Sequence, residues 1–491
     1  MIFEMGIIMK KAKKLIALAM AVVMTFSCSI VAFASEDVDY TINNPYSSVD
    51  FENWDQYKAD LHCHTTASDG DEDMDVMIEE HYTQGYDVLA LTDHGITSKG
   101  WTTVSSRNYF KIALSIADGK LRQITPLTEQ RYNEITTGVG RNGRGMIEIP
   151  LGIEQNPTSL NNAHVNSWFT EFGDGVVGGT SNYDEVIRNV DETGGLSVIN
   201  HPGEYTKAKE ESCQADAYDE SDSWYDYVIN KFANILINYE SCIGIDINSK
   251  KDGRTKYDRK LWDILLQKVI PTGRNVFAIA TTDAHQLDKV GCAWTDLCMP
   301  ENTAENVRAC LQDGSFFAVS RYIKNSEELA QFSLETGIDW GTEFEQENRD
   351  GSIPAPKATN VIVNENDDTI TLNVDNALTV HWIADGKVIA VGNTIDLDDF
   401  SDEIGSYVRA EAFGHGGVLY TQAFTLDYDD APESNVKTTF DFGNILAELK
   451  HFIIEVCTSI PLGKEVYDFL VKPVNDEVPQ KNPIEHFVEG N

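Results

Sequence analysis

Asp60-Leu61-His62-Cys63-His64, followed by Ser68-Asp69-Gly70, is the stretch that decides how this chain is read. Side chains alternate across an extended segment, so His62 and His64 point to one face and Cys63 to the other. Two imidazoles on one face can share a metal ion, and Asp69 follows where the chain turns back over it. His-x-His alone is common in ordinary strands and loops. The weight comes from what the rest of the chain supplies.

Working outward, Val88-Leu89-Ala90-Leu91-Thr92 is apolar in the manner of a strand buried on both faces, and it ends in Asp93-His94-Gly95. The apolar stretch 146–152 leads to Glu154, and 196–200 delivers His201-Pro202-Gly203. The strand expected over 276–280 leads to Thr282-Asp283-Ala284-His285. Further strands are expected at 243–247 and 316–319. Helices are expected at 75–83, closed by Gly85, at 184–192, closed by Gly194-Gly195, at 257–269, and at 303–312, closed by Gly314. This alternation argues for parallel βα units, whose active sites lie at the carboxyl ends of the strands. Those ends carry His62 and His64, Asp93 and His94, Glu154, His201, then Asp283 and His285. One such histidine is ordinarily structural. Five strand ends each finishing in His, Asp or Glu are hard to explain as core packing.

The motifs Asp-Leu-His-Cys-His…Ser-Asp-Gly, Leu-Thr-Asp-His-Gly, Gly-Ile-Glu, Asn-His-Pro-Gly and Thr-Asp-Ala-His, in this order between Asp60 and Ser320, resemble the polymerase-and-histidinol-phosphatase (PHP) family. The resemblance implies a distorted (βα)7 barrel with a trinuclear metal centre that hydrolyses phosphate esters. It implies a first metal on His62, His64, Glu154 and Asp283. A second would take Asp69, His94, the bridging Glu154 and His285, and a third His164 and His201. Segments 95–151 and 203–274 look longer than in compact members and would shape the substrate pocket.

Mixed imidazole and carboxylate ligands suit Mn2+, Zn2+ or Fe2+ rather than Mg2+ or Ca2+. A carboxylate bridge sets two cations about 3.5–4 Å apart, and a hydroxide between them is the expected nucleophile. A third ion would bind a phosphoryl oxygen. Asp93 and His201 are taken as the catalytic side chains. Asp93 has two readings of equal weight, as an orienting or proton-transfer group for His94 and as turn chemistry at a strand end. His81 reads as a packing or surface histidine. Lys99, Arg141, Arg144 and Arg321 lie in loops that could reach a phosphate, and no spacing rule selects among them.

The 491 residues carry 38 Lys+Arg against 79 Asp+Glu, a formal charge of −41, which opposes binding to nucleic-acid duplexes. Residues 1–34 read as a signal peptide, with Lys10, Lys11, Lys13 and Lys14 before an apolar run and Ala32-Phe33-Ala34 as the cleavage pattern. The mature protein is thus expected outside the cytoplasm or on the cell surface, without a transmembrane span. Without Cys28 an odd number of cysteines remains at irregular spacings, which is no disulfide framework; Cys292 and Cys298 are one pair that could be oxidised.

Residues 35–52 read as a lead-in, 53–325 as the metallophosphoesterase barrel and 326–357 as a connector. Residues 358–430 show short period-two strands and the hairpin turn Asp385-Gly386, which argues for a small antiparallel β-sandwich able to contact glycan or protein. Residues 431–491 read as a helical segment, with an apolar stripe over 442–456 expected to pack on the β domain, and a tail. The reading is an exported enzyme that uses two or three divalent ions on phosphate mono- or diesters. An amidohydrolase-type C–N hydrolase and a non-catalytic surface binding protein are the alternatives.

Overall fold

The computed structural model describes residues 38–104, 124–155, 163–173, 182–206, 208, 216–349 and 351–471; the signal peptide expected at 1–34 lies outside them. The chain enters through β1 (Thr41–Asn43) and β2 (Asp55–Cys63), then α1 (Met74–Thr83) and β3 (Val88–Leu91). Asp73 accepts a hydrogen bond from the first turn of α1, and Gly85 (φ 80°) lets the chain reverse into β3. After α2 (Glu129–Thr136) come β4 (Ile147–Glu148), β5 (Ile153–Gln155), β6 (Val165–Trp168), α3 (Tyr183–Glu192), β7 (Leu196–Ile199) and α4 (Ser223–Asn238). The half closes with β8 (Cys242–Asn248), α5 (Asp258–Val269), β9 (Phe277–Ala280), β10 (Ala293–Met299), α6 (Ala304–Asp313) and β11 (Phe316–Ser320).

Parallel pairing holds for β2–β3–β4 and for β7–β8–β9. It fails elsewhere: β6 runs antiparallel to both β5 and β7, and β10 runs antiparallel to both β2 and β11. The architecture is therefore mixed α/β in several sheets, not a uniform series of parallel βα units. The five-stranded sheet β5-β6-β7-β8-β9 meets the sheet containing β2 and β3 at the carboxyl ends of the strands. Gly95 N–H donates to Glu154 O (2.8 Å) on one side, and Asp283 N–H donates to His62 O (3.0 Å) on the other. At the free edge of β9 side chains replace a strand: the Gln422 amide pairs with both N–H and C=O of Ala278, and the Thr295 hydroxyl does the same for Ala280.

Beyond β12 (Tyr322–Ile323), the expected connector contains α7 (Ser326–Thr336) and β13 (Phe344–Glu345). Then β14 (Lys357–Asn364) and β15 (Thr369–Asp375) precede the hairpin β16 (Thr379–Ala384) and β17 (Lys387–Val391). They are followed by β18 (Thr394–Asp396), β19 (Tyr407–Gly414), β20 (Gly417–Tyr420) and β21 (Phe424–Asp427). β14, β15 and β18 form one sheet, whose Ile370, Leu372 and Ile395 share a core with Trp382, Ala410 and Leu419 of the other strands. β20 is hydrogen-bonded to β11, so a single sheet runs from the N-terminal half into the C-terminal strands. A buried ion pair reinforces that seam. Arg409 on β19 grips Asp263 on α5 with two hydrogen bonds (2.7 and 2.8 Å), and Tyr407 Oη donates to the same carboxylate (2.7 Å).

The apolar stripe forms α8 (Phe442–Thr458), and Pro461 opens a second helix, α9 (Pro461–Val471). α8 lies against α3 through polar contacts, His451 with Glu185 and Asn444 with Asn182, rather than on the β strands. Cys292 and Cys298 are free and buried. Among the described residues no helix is long and apolar enough to cross a membrane.

Removing the shared acceptor at the seam takes three hydrogen bonds from Arg409 and Tyr407 and leaves Glu411 (2.6 Å) as the remaining carboxylate on Arg409. Asp263→Ala is expected to cost about 1.5–3 kcal/mol in urea unfolding, and Asp263→Asn, which keeps an acceptor for Arg409 and Tyr407, clearly less.

Candidate metal centre

The two hydrogen-bonded joins bring the ends of β2, β3, β5, β7 and β9 to one point, and nine of the sequence-selected residues meet there. Four groups of donors form: His62, His64 and Asp283; His62, Glu154 and His201; His64, Asp69, His94 and His285; and His94, Glu154 and His164. Asp93 is the exception. Its carboxylate accepts from Thr65 N–H (2.8 Å), Thr65 Oγ1 (2.8 Å), Ser68 N–H (3.1 Å) and Ser68 Oγ (2.6 Å). Asp93 thus ties down the 65–68 loop that presents Asp69.

Glu154 divides the cluster. Its Oε2 faces His62 (3.4 Å), His64 (3.3 Å) and His94 (2.9 Å). Its Oε1 faces His164 (2.8 Å) and His201 (3.3 Å) and accepts from the Asn200 amide (2.9 Å). His164 and His201 sit with ring centres 5.3 Å apart, yet they fall into separate donor groups, each with Glu154, rather than forming one of their own. Asp283 is divided likewise, with Oδ1 toward His64 (3.1 Å) and His62 (3.4 Å) and Oδ2 toward Lys250 (2.8 Å). Asp283 takes a left-handed backbone (φ 45°), as does His201 (φ 23°), unusual for side chains with a Cβ. Asp60 fixes the first of these turns: it accepts from Thr282 N–H (3.2 Å), from the Thr282 hydroxyl and from His81 Nε2 (2.9 Å). His81 is accordingly a buried packing histidine that supports the site from behind.

These donors suit a cation better than they suit one another. Glu154 Oε2, Asp283 Oδ1 and both ring nitrogens of His201 are buried without a hydrogen bond, although opposite groups stand close by. His62 Nε2 and His64 Nε2 are 3.0 Å apart, and each is within 3.4 Å of Asp283 Oδ1. The circle through three points so spaced has a radius of about 1.8 Å, just under the ~2.0–2.2 Å of imidazole and carboxylate bonds to a transition metal.

Electrostatics agree. Burial opposes ionisation of Glu154 and Asp283, but the facing histidines, and Lys250 for Asp283, hold both carboxyls well below their usual range. Burial also opposes charge on His94, yet Glu154 and Asp69 raise it to about 9. Burial and Lys250 push His201 down to about 4, leaving a neutral imidazole with a lone pair to offer.

Sequence reasoning missed the supporting residues Asp60, Asn200, Glu204 and Tyr205, and also Lys250. Tyr205 stacks on His164 with ring centres 4.3 Å apart. Of the cations it weighed, Arg141 and Arg144 are committed to Asp87, Arg321 to the Asn348 carbonyl, and Lys99 lies 3.6 Å from Glu171.

No family model matches the chain, and no curated protein does. Among solved structures, it is similar to a two-domain protein from Bacteroides vulgatus containing a predicted PHP-like metal-dependent phosphoesterase, at 15% identity over 80% of this chain and 96% of that one, TM-score 0.34. It is also similar to PsfC from Pseudomonas syringae (16% identity, 52% and 88% of the chains, TM-score 0.29). A third similar structure is an amidohydrolase from Chromobacterium violaceum (15% identity, 46% and 87%, TM-score 0.26). At such scores the function has to be argued from the site.

Because Asp93 holds the loop beneath Asp69, Asp93→Ala is expected to weaken divalent-ion binding at the Asp69–His94–His285 group about 10–100-fold, with the His62–His64–Asp283 group retained. Equilibrium dialysis with Zn2+ or Mn2+ measures both.

Proposed function

We propose that this chain is a metal-dependent phosphoesterase acting on phosphate mono- or diesters, built on a distorted seven-stranded barrel whose ends are drawn together by the Gly95–Glu154 and Asp283–His62 backbone hydrogen bonds. The observation that carries the reading is Glu154, one buried carboxylate whose two oxygens face two separate sets of imidazoles. That is the arrangement of a bridging ligand between neighbouring cations.

His62, His64 and Asp283 would hold one ion, Asp69, His94 and His285 a second, and His164 and His201 a third, with Glu154 shared. Bound divalent ions supply Lewis acidity and ionise water near neutral pH. The remaining work belongs to the chain. Asn200 fixes the rotation of the Glu154 carboxylate through its 2.9 Å hydrogen bond. Asp60 and Thr282 lock the strained turn that aims Asp283. His62, His64, Glu154 and Asp283 are buried while Asp69 and His285 are partly exposed, so an ester would approach from the Asp69 side. The choice of phosphate esters over amides rests on the Leu-Thr-Asp-His-Gly and Ser-Asp-Gly motifs.

The test is a release assay on phosphate mono- and diesters, with amides in parallel, using protein loaded with Mn2+, Zn2+ or Fe2+. Phosphate-ester turnover in the wild type and its loss in a folded Asp283→Ala variant are expected; turnover of amides alone would replace this reading with the C–N hydrolase. His164→Ala and His201→Ala should each lower the metal content by about one ion per chain while the paired ions stay. Elemental analysis showing equal content in all three proteins would leave a binuclear centre.

A further inference from the structure

Lys250 stands at the cluster for a reason built into the backbone. It follows Ser249 at the carboxyl end of β8, and Lys250, Lys251 and Asp252 take left-handed conformations in succession (φ 52°, 53° and 56°). Each such residue costs about 1–2 kcal/mol, so a run of three persists only where its surroundings over-determine it. They do. Asp252 is fully buried and bound by both terminal nitrogens of Arg259 (3.1 and 2.9 Å) and by Lys324 N–H (2.9 Å). Asp252 N–H donates to Ser249 O (2.7 Å), and Lys251 lies over the Tyr322 ring. The result of this strain is to turn Lys250 inward. Its ammonium sits 2.8 Å from Asp283 Oδ2 and 2.7 Å from Glu204 Oε2. Arg254 takes the other oxygen of Glu204 (2.6 Å), which holds that carboxylate in place.

An ammonium has three hydrogens. Asp283 and Glu204 occupy two directions, which leaves one hydrogen for a further acceptor, and 27% of the Lys250 side-chain surface is exposed beside the donor cluster. We infer that Lys250 is the side chain that receives a phosphoryl oxygen of the substrate, with Glu204 and Arg254 positioning it; this rests on the phosphoesterase reading above. Lys250 lies in segment 203–274, the expected pocket-forming stretch, and a Lys placed as a point charge is a common partner for phosphate.

Inorganic phosphate is the probe. Titration calorimetry on metal-loaded wild type, Lys250→Met and Lys250→Arg measures its binding, and elemental analysis measures the metal. Phosphate affinity should fall about 10–100-fold in Lys250→Met, as for a lost charge-assisted hydrogen bond, and recover in part in Lys250→Arg, with metal content unchanged in both. Lys250→Gln replaces the Met variant if that protein does not fold. Unchanged phosphate affinity, no phosphate binding by the wild type, or a loss of phosphate binding that follows loss of metal would each overturn the inference. The two readings separate cleanly. Lys250-dependent phosphate binding without ester hydrolysis sinks the hydrolase and keeps this site; ester hydrolysis with Lys250-independent phosphate binding does the reverse.

Discussion

The structure depends on keeping Glu154 and Asp283 ionised in a buried site. Burying a carboxylate costs several kcal/mol unless opposite charge meets it. Here imidazoles meet both oxygens of Glu154 and both of Asp283, and Lys250 joins His201 at Asp283 Oδ2. Much of the surrounding architecture serves that balance. The antiparallel β6 places His164 beside Glu154, the turn after β7 delivers His201, and two strained turns point His201 and Asp283 at the same centre. Cations at the cluster would take over from the protonated imidazoles that face these carboxylates, so occupancy and stability would be coupled.

How much of this could be read from residues alone differs by element. The strand-end ligands were legible because each lies next to a short apolar run with a sharp end, as in Leu91-Thr92-Asp93-His94. Asp93 and His94 share that signal equally, and only the hydrogen bonds from Thr65 and Ser68 separate anchor from ligand. β10 was not legible at all: Thr295 and Asp296 interrupt its apolar residues, and its antiparallel course is set by pairing with β2, more than two hundred residues away in sequence. Lys250 was hidden for another reason. Ser-Lys-Lys-Asp-Gly carries no local pattern that marks it, and its inward turn is held by distant partners such as Arg259 and Lys324 binding Asp252.

The C-terminal strands illustrate the same limit. Their alternation marked a separate small β unit, and two facing sheets with a common core are present. What local pattern does not reveal is that β20 continues the sheet through β11 and that Arg409 reaches Asp263. Gln422 goes further by capping the edge of β9, the strand that leads into Asp283. The region is thus joined to the strand that leads into a candidate metal-binding carboxylate.

One pairing bears on how the chain reaches this state. β1 lies antiparallel to β21, with Thr41 opposite Asp427, which joins the first described strand to the last. A ribosome adding about 5–20 residues per second takes tens of seconds to make the intervening chain. During that time the first strand has no partner and the sheet has no end. Contacts this distant are entropically late, so the final zipping of β1 onto β21 belongs to the slow end of folding. The sheet therefore cannot close until β21 has been made.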